Sequence, residues 1–108
     1  MAQVDQVVAN ALVALSAAAA LPGDVVRSVI YVASDERADL AAVWARLNAS
    51  SIAEAFTTAS TLLGVTTLGF PGQLVEVDLT AAVGGRRPDR VPTMTRVRQR
   101  RGSRRSEL

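Results

Sequence analysis

The chain has 108 residues, which is enough for one domain. It contains neither cysteine nor histidine, so disulfides, thiolate metal sites and histidine chemistry are excluded. Any catalysis would rest on Asp, Glu, Arg, Ser, Thr, Tyr31 or the backbone, and we expect no metal ion or other cofactor. The apolar run 11–21 is too short to span a bilayer, and no basic residue precedes it. We therefore expect a cytoplasmic protein without a membrane partner.

The net charge of +2 conceals two segments of opposite sign. Residues 1–83 carry three basic and eight acidic residues, a net charge of −5, whereas residues 84–108 carry nine arginines and two acidic residues, a net charge of +7. Hydrophobic residues in the second segment are scattered and lack a sustained period. We predict a folded domain at 1–83 and a disordered arginine-rich tail at 84–108. Binding of nucleic acid by this tail is not expected, because aromatic residues do not interleave its arginines.

Helical patterns occur in two places. Residues 2–20 have apolar residues at three- and four-residue spacing, and Pro22 with the following glycine ends that pattern. Ser34 or Asp35 can cap a second helix. The apolar stripe of this second helix is Leu40, Val43, Trp44 and Leu47. Residues 48–58 are ambiguous, since they could continue the helix after a break.

Three segments are typical of β-strands. Residues 25–32 are rich in β-branched residues, residues 60–68 follow as a second strand, and residues 74–83 alternate apolar and polar positions most clearly. The order helix, strand, helix, strand, strand is that of an α+β domain, in which the second helix can form a crossover between the first two strands. Three strands and two helices form only a thin hydrophobic core. A domain with such a core usually needs further strands or partner subunits.

Four short segments, in this order along the chain, are similar in sequence to segments of a known protein family. They are DVVRSVIYV at 24–32, LAAVW at 40–44, ASTLLGV at 59–65 and LVEVD at 74–78. The third resembles a stretch often written PASTLVGV, and the fourth resembles a closing LVEIE strand. Together they resemble the RidA (YjgF/UK114) family over residues 2–83. This resemblance implies a chorismate-mutase-like fold with two helices on one face of the sheet, and a homotrimer with ligand clefts between its subunits.

The resemblance also implies a function. Deaminating members of the family hydrolyse reactive enamines and imines of the 2-aminoacrylate type, and an Arg in a PARS-like segment grips the substrate carboxylate. Thr58 and Ser60 stand at the Pro and Arg positions of that segment, and serine offers neither a fixed charge nor a bidentate fork. Asp78 matches the acidic residue thought to orient the attacking water. We therefore expect weak or absent deaminase activity, with a non-catalytic trimer that binds a small carboxylate metabolite as the alternative.

Each candidate site residue also has a plainer interpretation. Thr58, Ser60 and Thr61 could bind a ligand carboxylate through hydroxyl and backbone N–H groups, or could be ordinary strand residues that face a neighbour. Asp78 could orient a water molecule. An acidic residue on the polar face of a strand is more often solvated, and we favour that interpretation.

Two further features depart from the family pattern. The family normally begins with a β-hairpin before the first helix, which this sequence lacks, so we expect an incomplete sheet with an unpaired edge. Either the true start lies upstream of Met1, or this is a truncated copy. The arginine-rich tail has no family counterpart, and a frame-shifted reading of GC-rich coding sequence would produce such a segment.

Overall fold

The computed structural model of the protein describes residues 1–83 and 93–100. Two helices and four strands follow each other as α1 (Ala2–Ala17), β1 (Val25–Val32), α2 (Arg37–Asn48), β2 (Ala59–Gly64), β3 (Val75–Val83) and β4 (Thr93–Arg100). Short 3-10 helices at Pro22–Asp24 and Ala53–Phe56 join α1 to β1 and α2 to β2. The ambiguous segment 48–58 is therefore neither a long helix nor a strand.

The predicted first helix is confirmed, but it ends at Ala17 rather than near residue 20. The chain leaves α1 through Ala19, whose φ of 57° lies in the left-handed region. The N–H of Ala20 donates to the carbonyl of Leu15 at 2.8 Å, and the N–H of Ala19 donates to that of Ser16 at 3.0 Å. These two bonds satisfy the last carbonyls of the helix in the manner of a Schellman motif.

The second helix begins later than the sequence suggested. Its N-cap is Glu36, and neither Ser34 nor Asp35 caps it. The Ser34 hydroxyl instead accepts a hydrogen bond from the N–H of Glu36 at 3.0 Å and donates one to Asp39 at 2.7 Å. Ser34 therefore stabilises the turn that leads into α2 rather than capping the helix, because serine side chains readily form hydrogen bonds with nearby backbone groups.

No helix in the described ranges combines the length and apolar character that a bilayer crossing requires.

The strands form one mixed sheet in the order β2-β1-β3-β4. β1 is parallel to β2, with α2 between them in sequence as the predicted crossover, and antiparallel to β3. β3 is antiparallel to β4. The α+β fold predicted from the sequence is confirmed, β1 has the predicted limits, and β2 is shorter than the predicted strand because it ends at Gly64.

The two faces of the sheet differ. Residues at alternate positions of β1 and β3 join the hydrophobic core with both helices. From the sheet this core takes Val25, Ile30, Val32, Val75, Val77, Leu79 and Ala81. From the helices it takes Val4, Val7, Val8, Ala11, Leu15, Val43 and Leu47. The helices thus cover one face, and the intervening positions of the strands belong to the opposite face.

Residues 93–100 of the segment predicted to be disordered instead form β4, antiparallel to β3. Their sequence, TMTRVRQR, places arginines at every second position from 96, a period-two pattern that suits a strand. Pairing with β4 also gives β3 a neighbour on each side, between β1 and β4. The other residues of the predicted tail, 84–92 and 101–108, lie outside the described residues.

One ion pair joins the two helices. The guanidinium of Arg46 on α2 donates to both carboxylate oxygens of Asp5 on α1, at 2.9 and 2.8 Å. These hydrogen bonds hold the pKa of Asp5 below its ordinary value and raise the pKa of Arg46. Because both side chains are about half exposed, the pair orients the helices more than it stabilises the fold.

Candidate functional site

The sheet face opposite the helices carries Thr61 and Asp78 in one row. Thr61 on β2 and Asp78 on β3 are both in register with Val29 on the intervening β1. Residues in register on neighbouring strands share a face, so these two predicted site residues lie on the same side of the sheet. Two strand spacings separate their backbones, about 10 Å. A ligand would have to bridge that distance to contact both.

Asp78 is buried, with only 1 % of its surface exposed. Glu76 on the same strand is 7 % exposed, and Val29 beside Asp78 is 4 % exposed. The interpretation of Asp78 as a solvated strand residue is therefore wrong. The sequence pattern of β3 alone did not reveal this burial, because β3 is an interior strand of the sheet, between β1 and β4.

Ser60 lies on the other face of the sheet, towards the helices. It is in register with Ser28 on β1, and the Ser28 hydroxyl donates to the Ser60 oxygen at 2.8 Å. Ser28 is fully buried. The Ser60 hydroxyl has long contacts of 3.4 Å to the carbonyls of Phe56 and Thr58. Within one chain, Ser60 and Asp78 are thus on opposite faces and do not meet.

Thr58 has a structural hydrogen bond. Its hydroxyl donates to the carbonyl of Val25 at 3.2 Å, which ties the start of β2 to the start of β1. Of the three residues predicted to bind a carboxylate, Thr61 is exposed on the face that Asp78 shares, while the hydroxyls of Thr58 and Ser60 contact neighbouring groups of the same chain.

An exposed patch surrounds Thr61 on the face opposite the helices. Arg27 and Tyr31 on β1 alternate with buried Ser28 and Ile30, and Arg27 is exposed. Leu63, two positions beyond Thr61, is in register with Tyr31 and is 42 % exposed. We call Arg27, Tyr31, Thr61 and Leu63 the open patch. In the described part of the chain Arg27 forms no ion pair. The sequence prediction did not include Arg27, although Arg27 lies two residues before Val29 and four before Tyr31, a spacing that places it on this face.

A family model described as Endoribonuclease L-PSP, that of the RidA/YjgF family, matches residues 1–83. The chain belongs to the RidA family. No curated protein and no solved structure was found to match it. The match confirms the resemblance carried by the four sequence segments, and it covers α1 through β3.

Because the chain belongs to the RidA family, the position of the arginine in the deaminating members can be compared with this structure. The sequence resemblance assigns Ser60 to that position, and a longer side chain at Ser60 would start on the face that the helices cover. The same resemblance assigns Asp78 to the position of the family's acidic residue, and Asp78 lies on the opposite face of the sheet. A single RidA-type chain of this sequence therefore presents neither a guanidinium at position 60 nor a shared surface for the two positions.

A groove of about 650 Å³ lies away from these residues, at the end of β1 and β2 where α2 begins. It is lined by Ser34, Asp35, Arg37, Leu40, Gly64, Val65 and Thr66. None of the predicted site residues borders it. Within residues 1–83 and 93–100, no group of three acidic side chains is arranged to hold a metal ion.

Proposed function

We propose that this RidA-family chain has little or no deaminase activity on 2-aminoacrylate-type imines, and that it binds a small carboxylate metabolite in clefts between the subunits of a cytoplasmic homotrimer. The observation that carries the proposal is the position of Ser60. Its oxygen accepts a hydrogen bond from buried Ser28, and it lies on the face opposite to Asp78.

The lack of a guanidinium at position 60 argues against catalysis. A neutral serine hydroxyl cannot replace the two parallel charge-assisted bonds that an arginine gives a carboxylate, each of which contributes roughly 1.5–3 kcal/mol. Burial of Asp78 acts in the same direction, because bulk water does not reach its carboxylate directly. Binding of the substrate carboxylate and activation of the attacking water are thus both weakened.

The open patch supports binding of a carboxylate. Arg27 offers a permanent charge there, and Thr61 offers a hydroxyl on the same face. Beside them, Leu63 exposes 42 % of its surface, and β2 pairs with β1 alone among the described strands. An apolar patch on an edge strand favours cover by a second subunit. A cleft at such an interface would contain both the cation and the hydroxyl.

Cleavage of RNA, the activity that the description of the family names, is less well supported. Residues 1–83, the part that matches the family, have only three basic residues and a net charge of −5. Affinity for a nucleic acid comes mainly from basic residues that contact phosphates. The matched region therefore repels the substrate that a ribonuclease must bind.

Turnover of freshly generated 2-iminopropanoate tests the catalytic part of the proposal. We expect an efficiency at least about tenfold to a hundredfold below that of a deaminating family member, because the arginine contact is missing and each 1.4 kcal/mol is a factor of ten. The rate of pyruvate and ammonia release above the uncatalysed rate is the measurement. Activity within a few-fold of the active control would contradict the proposal.

Binding of pyruvate tests the carboxylate site. The unsubstituted chain should bind pyruvate in a calorimetric titration, and Arg27→Gln should weaken binding about tenfold or more, since a charge-assisted hydrogen bond is lost. Arg37→Gln is the matched control, because Arg37 is exposed but borders the groove at the start of α2. Sedimentation of the same samples reports whether trimers are present. Equal effects of the two substitutions would remove Arg27 from the site.

A further inference from the structure

The register between β3 and β4 brings acidic and basic positions together. Glu76 is paired with Arg100, and Asp78 is paired with Arg98. The next alternate pair along the strands joins Thr80 to Arg96. Two of these three pairs therefore join an acidic residue to an arginine, and the third joins a neutral residue to an arginine.

The burial of the two acids makes this register significant. Glu76 and Asp78 are 7 % and 1 % exposed. A carboxylate removed from water is costly unless opposite charge or hydrogen-bond donors compensate it. Opposite charges on directly paired positions of an antiparallel sheet stabilise the pairing. A slip of one residue would bring Val97 or Gln99 opposite Asp78, so charge favours the observed register over that alternative.

We propose that the edge of β3 is an acceptor site for a basic β-strand, and that the site selects its occupant through Glu76 and Asp78. The partner is defined by its chemistry: an extended segment with arginines at alternate positions. In this chain the occupant is its own segment 93–100, which binds the acceptor edge as a charge-matched latch. This inference stands apart from the carboxylate proposal, because it concerns the pairing of β3 with β4, whereas the open patch belongs to β1 and β2.

The latch also explains why Asp78 is a poor candidate for catalysis. On this proposal the charge of Asp78 stabilises the register of β3 with β4, which is a different role from orienting a water molecule. The sequence resemblance assigns Asp78 the role of orienting the attacking water. The register of β3 with β4 instead favours a role for Asp78 in strand pairing. Segment 93–100 thereby acts as a built-in occupant of the strand edge next to the family's acidic position.

Hydrogen exchange of the full chain, followed by mass spectrometry, tests the latch with matched substitutions. Arg98→Gln should speed amide exchange in β3 and β4 by about tenfold, as expected for loss of a charge-assisted contact. Arg96→Gln, which changes the same residue type opposite Thr80, should change exchange much less. Exchange in β1 should stay slow in both variants.

Charge reversal completes the test. Arg98→Asp should release the strand, and the double variant with Asp78→Arg should recover most of the lost protection, because opposite charges again face each other. Equal effects of Arg96→Gln and Arg98→Gln, or no recovery in the double variant, would overturn the proposal. Fast exchange in β1 of Arg98→Gln would also overturn it, since the arginine would then support the whole fold rather than one edge.

Discussion

Leu47→Ala is expected to lower the free energy of unfolding by about 2–5 kcal/mol, the usual cost of deleting a large buried side chain. Leu47 lies on α2, has no exposed surface and belongs to the core between helices and sheet. A thin core has few ways to close the resulting cavity. The thermal midpoint should fall by at least about 8 °C, given a shift of roughly 4–8 °C per kcal/mol in domains of this size.

Leu12→Ala provides the control for this substitution. It makes the same chemical change on a helix, but Leu12 is 39 % exposed on the outer side of α1. Its cost should stay below about 1 kcal/mol. Urea unfolding can be followed by the fluorescence of Trp44, whose ring lies 5.9 Å from that of Phe56. Similar losses in the two variants would mean that α2 is not packed in the core as described.

The elements that the sequence predicted well are those whose pattern is local. β1 has the predicted limits because β-branched residues fill positions 25–32 and turn-forming residues flank them. The crossover between β1 and β2 also follows from the order of the elements. Boundaries were less predictable. The start of α2 depends on the side chain of Ser34, which can either cap a helix or form a turn before it.

The site was less predictable than the fold, because facing and burial depend on partners distant in sequence. Adjacent residues of a strand point to opposite faces, so Ser60 and Thr61 lie on different faces of the sheet. Only the register with β1 shows that Ser60 lies on the face that carries Ser28. The burial of Asp78 depends on neighbours that its own segment does not reveal. The arginine content of segment 93–100 indicated disorder, while its alternation was compatible with a strand. The opposing acids that favour the strand lie some twenty residues earlier.

Gly64 lies where β2 ends, and the backbone of another segment approaches it closely. A Cβ atom added there would lie 2.5 Å from the carbonyl oxygen of Ser34. Beyond it, the N–H of Val65 donates to the carbonyl of Val32 at 2.8 Å, so the two chain segments are held together at this point. The clash involves backbone rather than the end of a flexible side chain. A rotamer change therefore cannot relieve it.

Gly64→Ala is consequently expected to cost about 1–3 kcal/mol, as overpacking does at sites that cannot relax. Gly23→Ala is the matched control, because its Cβ would lie 3.5 Å from the carboxylate of Glu54, an ordinary contact distance. That control should be neutral or slightly stabilising, since alanine restricts the unfolded chain. Urea unfolding of both variants at equal protein concentration gives the comparison. An unchanged free energy of unfolding in Gly64→Ala would mean that β2 and the turn at Ser34 separate easily. The volume of the groove between them would then exceed 650 Å³ in solution.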